Sequence, residues 1–255
     1  MKAKISALAL ISASLQSASA ATLIAGIDAW DSVSAPTVTH TLAGITATAT
    51  ASASTGSWSN DDRPSDLGRG SSGDGTWGNF DGNGVAASTV TSLGVASFTV
   101  TKGRPSAEVT LTIVNNGTGD LDLAAFHLDV VGLRPNAPRT YALNVLSGSD
   151  ITVGNVVTSP TGAITSLGGR LSGHDQHDDI DIDLTGLADH TLAVGETAII
   201  QIVFSDGTGS GGNHDLFLDN LAVSGAFMNV PEPSSMILLC LAGFALLGRR
   251  FRSGL

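Results

Sequence analysis

The sequence predicts an all-β protein: an antiparallel β-sandwich or jelly-roll ectodomain, flanked by a signal peptide and a single C-terminal hydrophobic helix. Three observations lead to this prediction. Apolar residues recur at every second position through the centre of the chain, turn-forming clusters separate these segments, and the two ends have a different hydropathy pattern. We therefore divide the 255 residues into a signal peptide at 1–20, an ectodomain at 21–229 and a C-terminal segment at 230–255.

The N-terminal segment has the three parts of a secretory signal peptide. Lys2 and Lys4 form a basic start, residues 5–15 are apolar with small residues among them, and Ala18-Ser19-Ala20 supplies small side chains for signal peptidase. A buried N-terminal helix is the alternative, but it does not explain why the three parts occur in this order. We therefore expect signal peptidase to cleave after Ala20 and the rest of the chain to be exported.

Alternation with a period of two identifies half-buried strands in the ectodomain. In each strand one set of apolar residues faces the core, and the residues between them face solvent. The core-facing sets are Ala107, Val109, Leu111 and Ile113; Phe126, Leu128 and Val130; Tyr141, Leu143 and Val145; Ile180, Ile182 and Leu184; and Ala198, Ile200, Ile202 and Phe204. This pattern places His127 and Asp129 on the solvent side. Residues 46–55, almost all Thr, Ala and Ser, fit either a weak strand with an Ala face or a linker.

Composition and charge exclude several classes of protein. Only 14% of the residues are charged, and no long apolar stripe of helical period is present, so the chain is not a helical bundle. The hydrophobic content of 42% excludes a disordered acidic tail. The two ends hold five of the 12 basic and one of the 23 acidic residues, which leaves 22 acidic against 7 basic residues in the ectodomain. Such a surface repels phosphates, so we expect no nucleic-acid partner.

The C-terminal segment has three parts in a fixed order. Val230-Pro231-Glu232-Pro233-Ser234-Ser235 comes first, an apolar run at 236–248 follows, and a tail at 249–255 contains Arg249, Arg250 and Arg252. As a helix, the 15 uncharged residues 234–248 span about 22 Å, which is shorter than the hydrocarbon core of about 30 Å. Thinning of the bilayer and snorkelling of the arginines compensate for this length, and the arginines favour a cytoplasmic C-terminus.

This arrangement resembles the PEP-CTERM protein-sorting signal of bacteria that have an extracellular polysaccharide matrix. In that family the signal is read by exosortase, a membrane-embedded cysteine transpeptidase. The resemblance implies that the chain is anchored in the inner membrane by its C-terminal helix, loses its tail, and is transferred to the cell surface or the extracellular matrix. It assigns recognition to Val230, Pro231, Glu232 and Pro233. An ordinary C-terminal anchor that stays in place is the alternative.

Asp219 and Asn220 suggest a metal-binding site. The segment 215–225 is similar to the last strand of jelly-roll carbohydrate-binding modules, in which an acidic residue often holds a structural Ca²⁺, and the oxygen ligands of Asp219 and Asn220 suit that ion. Hydrogen bonding of both side chains to a neighbouring turn is the alternative.

Asp179, Asp181 and Asp183 do not begin an EF-hand loop, because its glycine and glutamate are missing, so we expect these charges to protect a sheet edge. The acidic, histidine-containing stretch at 174–179 fits a solvated loop better than a metal site.

Aromatic residues suggest a sugar-binding surface. Trp58, Trp77 and Phe80 occur among Asn and Asp residues, and an aromatic face with nearby carboxylates and amides is a common glycan site. The alternative is that the tryptophans anchor Gly-rich loops onto the domain, because large aromatic side chains usually bury most of their area.

The sequence predicts no enzyme. No nucleophile elbow, phosphate-binding loop or zinc-protease motif is present, so we expect a structural or interaction role without catalysis at the cell surface or in the extracellular matrix. Two alternatives stay open. One is a carbohydrate-binding module that attaches to extracellular polysaccharide, and the other is a secreted glycan-active enzyme, which needs two acidic groups across a sugar. No cofactor other than the structural Ca²⁺ is expected.

Overall fold

The computed structural model describes residues 22–27, 35–53, 57–61, 95–99, 106–132, 137–166, 178–207 and 216–228. The signal peptide, the 174–177 part of the acidic stretch, Trp77, Phe80 and the whole C-terminal segment from Val230 lie outside these residues. Within the described ranges, no helix is long and apolar enough to cross a membrane.

All regular elements of the described residues are strands. They are β1 (Thr22–Ile27), β2 (His40–Thr41), β3 (Ile45–Ala53), β4 (Ser57–Asp61), β5 (Val95–Thr99), β6 (Ala107–Asn115), β7 (Leu121–Gly132), β8 (Thr140–Val145), β9 (Gly154–Thr158), β10 (Asp178–Asp183), β11 (Thr191–Leu192), β12 (Thr197–Ser205) and β13 (Leu216–Phe227).

The strands form two antiparallel sheets. Sheet A has eight strands in the order β10-β7-β13-β1-β2, with β11 beside β7 and the β4–β5 pair attached to β13. Sheet B has five strands in the order β3-β6-β12-β8-β9. Buried apolar residues from both sheets form one continuous core, so the predicted all-β, antiparallel β-sandwich is confirmed.

The core follows the alternation seen in the sequence. Along β6 and β12, buried residues alternate with half-buried ones without interruption, and the two strands pair in register over most of their length. The largest fully buried side chains include Phe126 and Phe204, one from each sheet. Burying a side chain of this size contributes about 1.5–3 kcal/mol relative to leaving it in water. The Thr- and Ala-rich stretch that begins at residue 46 is mostly strand, since β3 runs to Ala53 with Ala49 and Ala51 buried.

The acidic strand β10 lies at an edge of sheet A, as the sequence predicts. Ile180 and Ile182 are buried, while Asp179, Asp181 and Asp183 are exposed. The strand pairs with β7 along its inner side and ends the main path of the sheet. Its exposed charges oppose the addition of another strand there.

The prediction was wrong for two residues of β7. His127 and Asp129 are buried, with exposed fractions of 5% and 4%, although alternation places them on the solvent side. Both side chains have hydrogen-bonding partners on neighbouring strands, which offset the cost of removing polar groups from water.

Candidate functional site

The second face of sheet A, away from the core between the sheets, is also buried where β7, β13 and β1 lie side by side. Leu23, Val131 and Ala222 are 0–1% exposed but do not belong to the core cluster. Leu23 lies directly opposite Ser224 in the register, and Ala222 lies opposite His127, so these residues share one face. We call the polar residues buried on this face, His127, Asp129, Asn220 and Ser224, the polar cluster of sheet A.

His127 connects three strands within this cluster. Its Nδ1 lies 2.5 Å from Oδ1 of Asp181 on β10, and its Nε2 lies 3.0 Å from Oγ of Ser224 on β13. Because a carboxylate only accepts hydrogen bonds, Nδ1 carries the proton, and in the neutral ring Nε2 accepts from the Ser224 hydroxyl. Burial lowers the pKa of His127 below 6.5, and the hydrogen bond and charge of Asp181 oppose this effect.

This order of groups resembles a nucleophile, a general base and an orienting carboxylate. The chemistry also requires that substrate reach the hydroxyl, and Ser224 has an exposed fraction of 0%. Asp181, in contrast, has an exposed side chain on the edge strand. The arrangement therefore holds β10, β7 and β13 together and keeps one buried imidazole, but gives a substrate no approach to the serine.

Asp129 and Asn220 form the other half of the cluster. Asn220 is 2% exposed and donates a hydrogen bond from Nδ2 to Oδ2 of Asp129. Its φ of 49° lies in the left-handed region, which Asn tolerates better than most residues, and it follows Asp219 at a bulge in β13. The register places Asp129 directly opposite Asp179 on one side and Asp219 on the other. Three aspartates thus occupy neighbouring positions across three strands.

Metal binding at Asp219 and Asn220 stays a prediction. Among the residues that the structure describes, no group of three or more His, Cys, Asp or Glu side chains is arranged to hold a metal ion. The structure places Asp219 in β13 but describes only its backbone, so the register is what relates it to Asp129 and Asp179. Asn220 makes its hydrogen bond to an aspartate of the neighbouring strand.

The outer face of sheet B differs from that of sheet A. Thr48 faces Thr112 and Thr50 faces Thr110 across β3 and β6, and these side chains are exposed or half-buried. The one charged side chain of these two strands is Glu108, whose carboxylate accepts hydrogen bonds from Ser52 and Gln201. This face is therefore almost uncharged and rich in hydroxyl groups.

The aromatic residues of the predicted glycan surface are only partly located. Trp58 lies in β4, opposite Phe98 of β5, and this pair of strands extends sheet A beside β13. Trp77 and Phe80 lie outside the described residues, so a surface shared by the three aromatic residues stays a prediction.

The polar cluster was missed by sequence reasoning. His127 is separated by 97 residues from Ser224 and by 54 from Asp181, and no local motif joins them. One signal was available in the sequence of β7. His127 and Asp129 alternate with apolar residues, but the strand then continues with two apolar residues in succession, Val130 and Val131. Such a run indicates a strand that is buried on both faces.

Comparison with known proteins identifies the C-terminal segment. Residues 229–253 match the family model of the PEP-CTERM protein-sorting motif. The sequence resemblance at Val230–Pro233 and the Arg-rich tail is thereby confirmed. No curated protein matches the chain.

Several solved structures are similar to the chain in fold. The family 11 carbohydrate-binding module from Clostridium thermocellum, in complex with a beta-1,3-1,4-mixed-linked tetrasaccharide, has 9% identity over 82% of this chain and 100% of that chain, with a TM-score of 0.32. The K3 cleaved adhesin domain of Lys-gingipain from Porphyromonas gingivalis has 12% identity over 66% of this chain and 91% of that chain, with a TM-score of 0.32.

Proposed function

We propose that this chain is exported, sorted by exosortase, and placed at the cell surface or in the extracellular matrix, where it has a structural or interaction role without catalysis. The PEP-CTERM motif at residues 229–253 carries this proposal. A β-sandwich with one continuous core, directly before the motif, supports the view that the sandwich is the delivered part.

The two terminal segments have distinct roles in this proposal. Signal peptidase removes residues 1–20, the helix at 236–248 holds the chain in the inner membrane, and exosortase recognises Pro231, Glu232 and Pro233. Arg249, Arg250 and Arg252 keep the C-terminus in the cytoplasm, because positive charges flanking a hydrophobic segment stay on that side.

Replacement of the motif tests the sorting step. The double variant Pro231→Ala with Glu232→Ala is expected to remain in the membrane at full length, while the parent chain is released after processing. Intact mass of the protein in the medium and in the membrane fraction measures both outcomes. The parent chain in a host without exosortase is the reference for complete retention. Release of the double variant at the parent's mass and yield would contradict the proposal.

The burial of Ser224 argues against serine-dependent hydrolysis. Its hydroxyl lies 3.0 Å from the His127 ring but has no exposed area, so attack on an ester would require the face to open. The released protein is expected to leave a panel of polysaccharides and chromogenic esters intact. Turnover that disappears in Ser224→Ala would instead establish a hydrolase.

A second candidate is attachment to extracellular polysaccharide through Trp58, Trp77 and Phe80. The position of Trp58 favours it, since the β4–β5 pair lies beside β13 and outside the main strand order of sheet A. A glycan array probed with the parent protein and with Trp77→Ala tests the idea. Binding that Trp77→Ala abolishes is expected, and failure of the parent protein to bind any glycan would remove this candidate.

Structural Ca²⁺ at Asp219 and Asn220 is retained as part of the proposal. The register supports it, because it places Asp179, Asp129 and Asp219 at neighbouring backbone positions and carboxylate oxygens are ligands that suit Ca²⁺. Thermal unfolding is expected to shift to lower temperature in EDTA and to recover when Ca²⁺ is added in excess. An unchanged melting temperature would contradict the presence of a structural Ca²⁺.

A further inference from the structure

Among the described residues, large apolar side chains are exposed at one end of the sandwich. They are Val153, Val194 and Met228, with exposed fractions of 52%, 53% and 41%. Val153 lies in the β8–β9 turn, Val194 in the β11–β12 turn, and Met228 directly after β13. Single exposed apolar residues need no explanation, but a group of them at one end of a molecule indicates a contact surface.

Hydrogen bonds hold Met228 and the β11–β12 turn against the same β6–β7 turn. The buried Asn115, which ends β6, donates from Nδ2 to the carbonyl oxygens of Gly119 and Leu192, at 2.9 and 2.8 Å. It thereby joins the β6–β7 turn to the end of β11. The backbone N–H of Met228 donates to the carbonyl oxygen of Asp120 in the β6–β7 turn, with an N···O distance of 2.8 Å.

The β8–β9 turn belongs to the same end. The N–H of Asp150 donates to the carbonyl oxygen of Thr197, the first residue of β12, and the N–H of Thr197 donates to Oδ2 of Asp150, both at 2.8 Å. In the β11–β12 turn, Oε2 of Glu196 accepts from the N–H of Ala193, also at 2.8 Å. These turns are therefore held in place by specific hydrogen bonds. We call the β6–β7, β8–β9 and β11–β12 turns, together with Met228, the exit end.

The chain leaves the sandwich at the exit end. The matched sorting motif begins at residue 229, directly after Met228, and the proposed membrane helix begins at 236. The chain from 228 to 236 reaches at most about 28 Å when it is fully extended. β13, with its 12 residues, is about 40 Å long. The tether is therefore shorter than the domain, so the opposite end cannot lie on the bilayer while the helix is inserted.

We propose that the exit end rests on the bilayer surface while the chain is anchored, with Val153, Val194 and Met228 in the headgroup region. This inference rests on the proposed anchoring by the helix at 236–248. A short tether holds the exit end at an effective concentration on the order of millimolar, so a few apolar side chains suffice for contact. Cleavage removes the tether, and the contact is lost with it.

The charges of the exit end restrict the lipids that it contacts. Its turns carry the acidic residues Asp120, Asp150 and Glu196, and the described residues of these turns include no Lys or Arg. A negative bilayer surface attracts basic segments and repels acidic ones. The exit end therefore fits a surface of zwitterionic lipid, and added anionic lipid should weaken the contact.

Fluorescent labels at the two ends of the sandwich test this orientation. In a Cys240→Ser background, the label is carried by Thr118→Cys at the exit end or by Thr161→Cys beyond the opposite end of β9, and both native residues are exposed. The full chain is reconstituted through its helix into phosphatidylcholine vesicles that contain a quencher on the lipid headgroup. Quenching at 118 is expected to exceed quenching at 161 about threefold or more, because the two ends lie about 40 Å apart.

Substitutions and lipid composition test the contact itself. Val194→Ser combined with Met228→Ser should reduce the quenching at 118 by about half or more, because it removes apolar area from the headgroup region. Val203→Ser, the matched control on the outer face of sheet B, should leave the quenching unchanged. Addition of phosphatidylglycerol to the vesicles should reduce it. Thermal unfolding followed by circular dichroism verifies that the variants fold.

Flotation of the vesicles separates this proposal from the proposed anchoring. A chain that floats with the vesicles but shows equal quenching at 118 and 161 would overturn the contact and leave the anchoring intact. A chain that does not float with them would overturn both. Quenching at 118 that Val194→Ser with Met228→Ser does not reduce would also overturn the contact. So would a blue shift of the label at 118 without lipid quenching, because a second copy of the chain would then cover the exit end.

Discussion

The second faces of the two sheets have opposite characters. On sheet B, the residues that alternate with the core are exposed or half-buried, and they include hydroxyl and amide groups such as Thr110 and Gln201. On sheet A, the corresponding residues His127, Asp129 and Ser224 are buried and connected by hydrogen bonds across three strands. Alternation identifies which side chains leave the core, but it does not determine whether water reaches them.

The difference predicts unequal sensitivity to substitution. Polar side chains on sheet B can lose a partner and turn to water. Polar side chains on sheet A have no such alternative, so a lost partner leaves a buried group without its hydrogen bond, at a cost of about 1–3 kcal/mol. Substitutions on sheet A should therefore have larger effects on stability than matched substitutions elsewhere.

The largest effect is expected where sheet A is most tightly packed. Gly225 lies at a register shift between β13 and β7. An added Cβ would come closer than 3.0 Å to the carbonyl oxygen of Asp122 on β7, a separation that real Cβ atoms essentially never show. Gly225→Ala should therefore lower the free energy of unfolding by about 3 kcal/mol or more, because backbone cannot move aside cheaply. Chemical denaturation measures this change.

Gly186 provides the matched control for that substitution. It has no heavy atom within 4 Å of an added Cβ, so Gly186→Ala should change the free energy of unfolding by no more than about 0.5 kcal/mol. Equal effects of the two substitutions would show that the close approach of β13 to β7 does not exist in solution.

An intermediate effect is expected at the asparagines. Asn220→Ala removes a donor to buried Asp129 and puts Ala in the left-handed region, so a loss of about 2–4 kcal/mol is expected. Asn144→Ala on sheet B removes an exposed acceptor for Asn155 and should cost about 0.5 kcal/mol or less. Asn220→Gly restores the backbone preference alone and separates the two causes. Similar losses for Asn220→Ala and Asn144→Ala would mean that the face of sheet A is open to water.

The smallest effect is a dependence on pH. Burial lowers the pKa of His127 below 6.5, so between the folded and unfolded pKa values the unfolded chain binds a proton that the folded chain does not. Stability from this group is therefore complete above about pH 6.5 and decreases as the pH falls through that window. Hydrogen bonds from Thr185 lower the pKa of Asp183 below its usual value of 3.8. The stability that Asp183 contributes is therefore lost separately, in a more acidic range than that of His127.

Two variants separate the contribution of His127 from that of other groups. His127→Gln should reduce the difference in melting temperature between about pH 7.5 and about pH 5. Asp181→Asn should enlarge this difference, because it removes the charge that opposes the effect of burial. A change in the same direction for both variants would exclude His127 as the titrating group.

Much of the fold could be predicted from the sequence, because one-sided burial produces alternation with a period of two. The strands at 107–113, 180–184 and 198–204 were identified in this way, and so was the position of the acidic strand at a sheet edge. The polar cluster could not be predicted, since its bonds depend on which strands become neighbours. The register shifts at Asn220 and Gly225 also have no strong local signal: the first inserts one residue in β13, the second inserts Ala124 in β7, and only the pairing of the two strands reveals them.

The position of β13 has a consequence for the order of events during biosynthesis. The final strand pairs with β1, β5 and β7, and Thr22 near the start of the ectodomain lies opposite Gly225 near its end. Sheet A therefore remains incomplete until the chain has been synthesised as far as residue 227, two residues before the matched sorting motif begins at 229. Under the proposed export, the sandwich cannot close before β13 has crossed the membrane, so the chain is translocated while sheet A is still open.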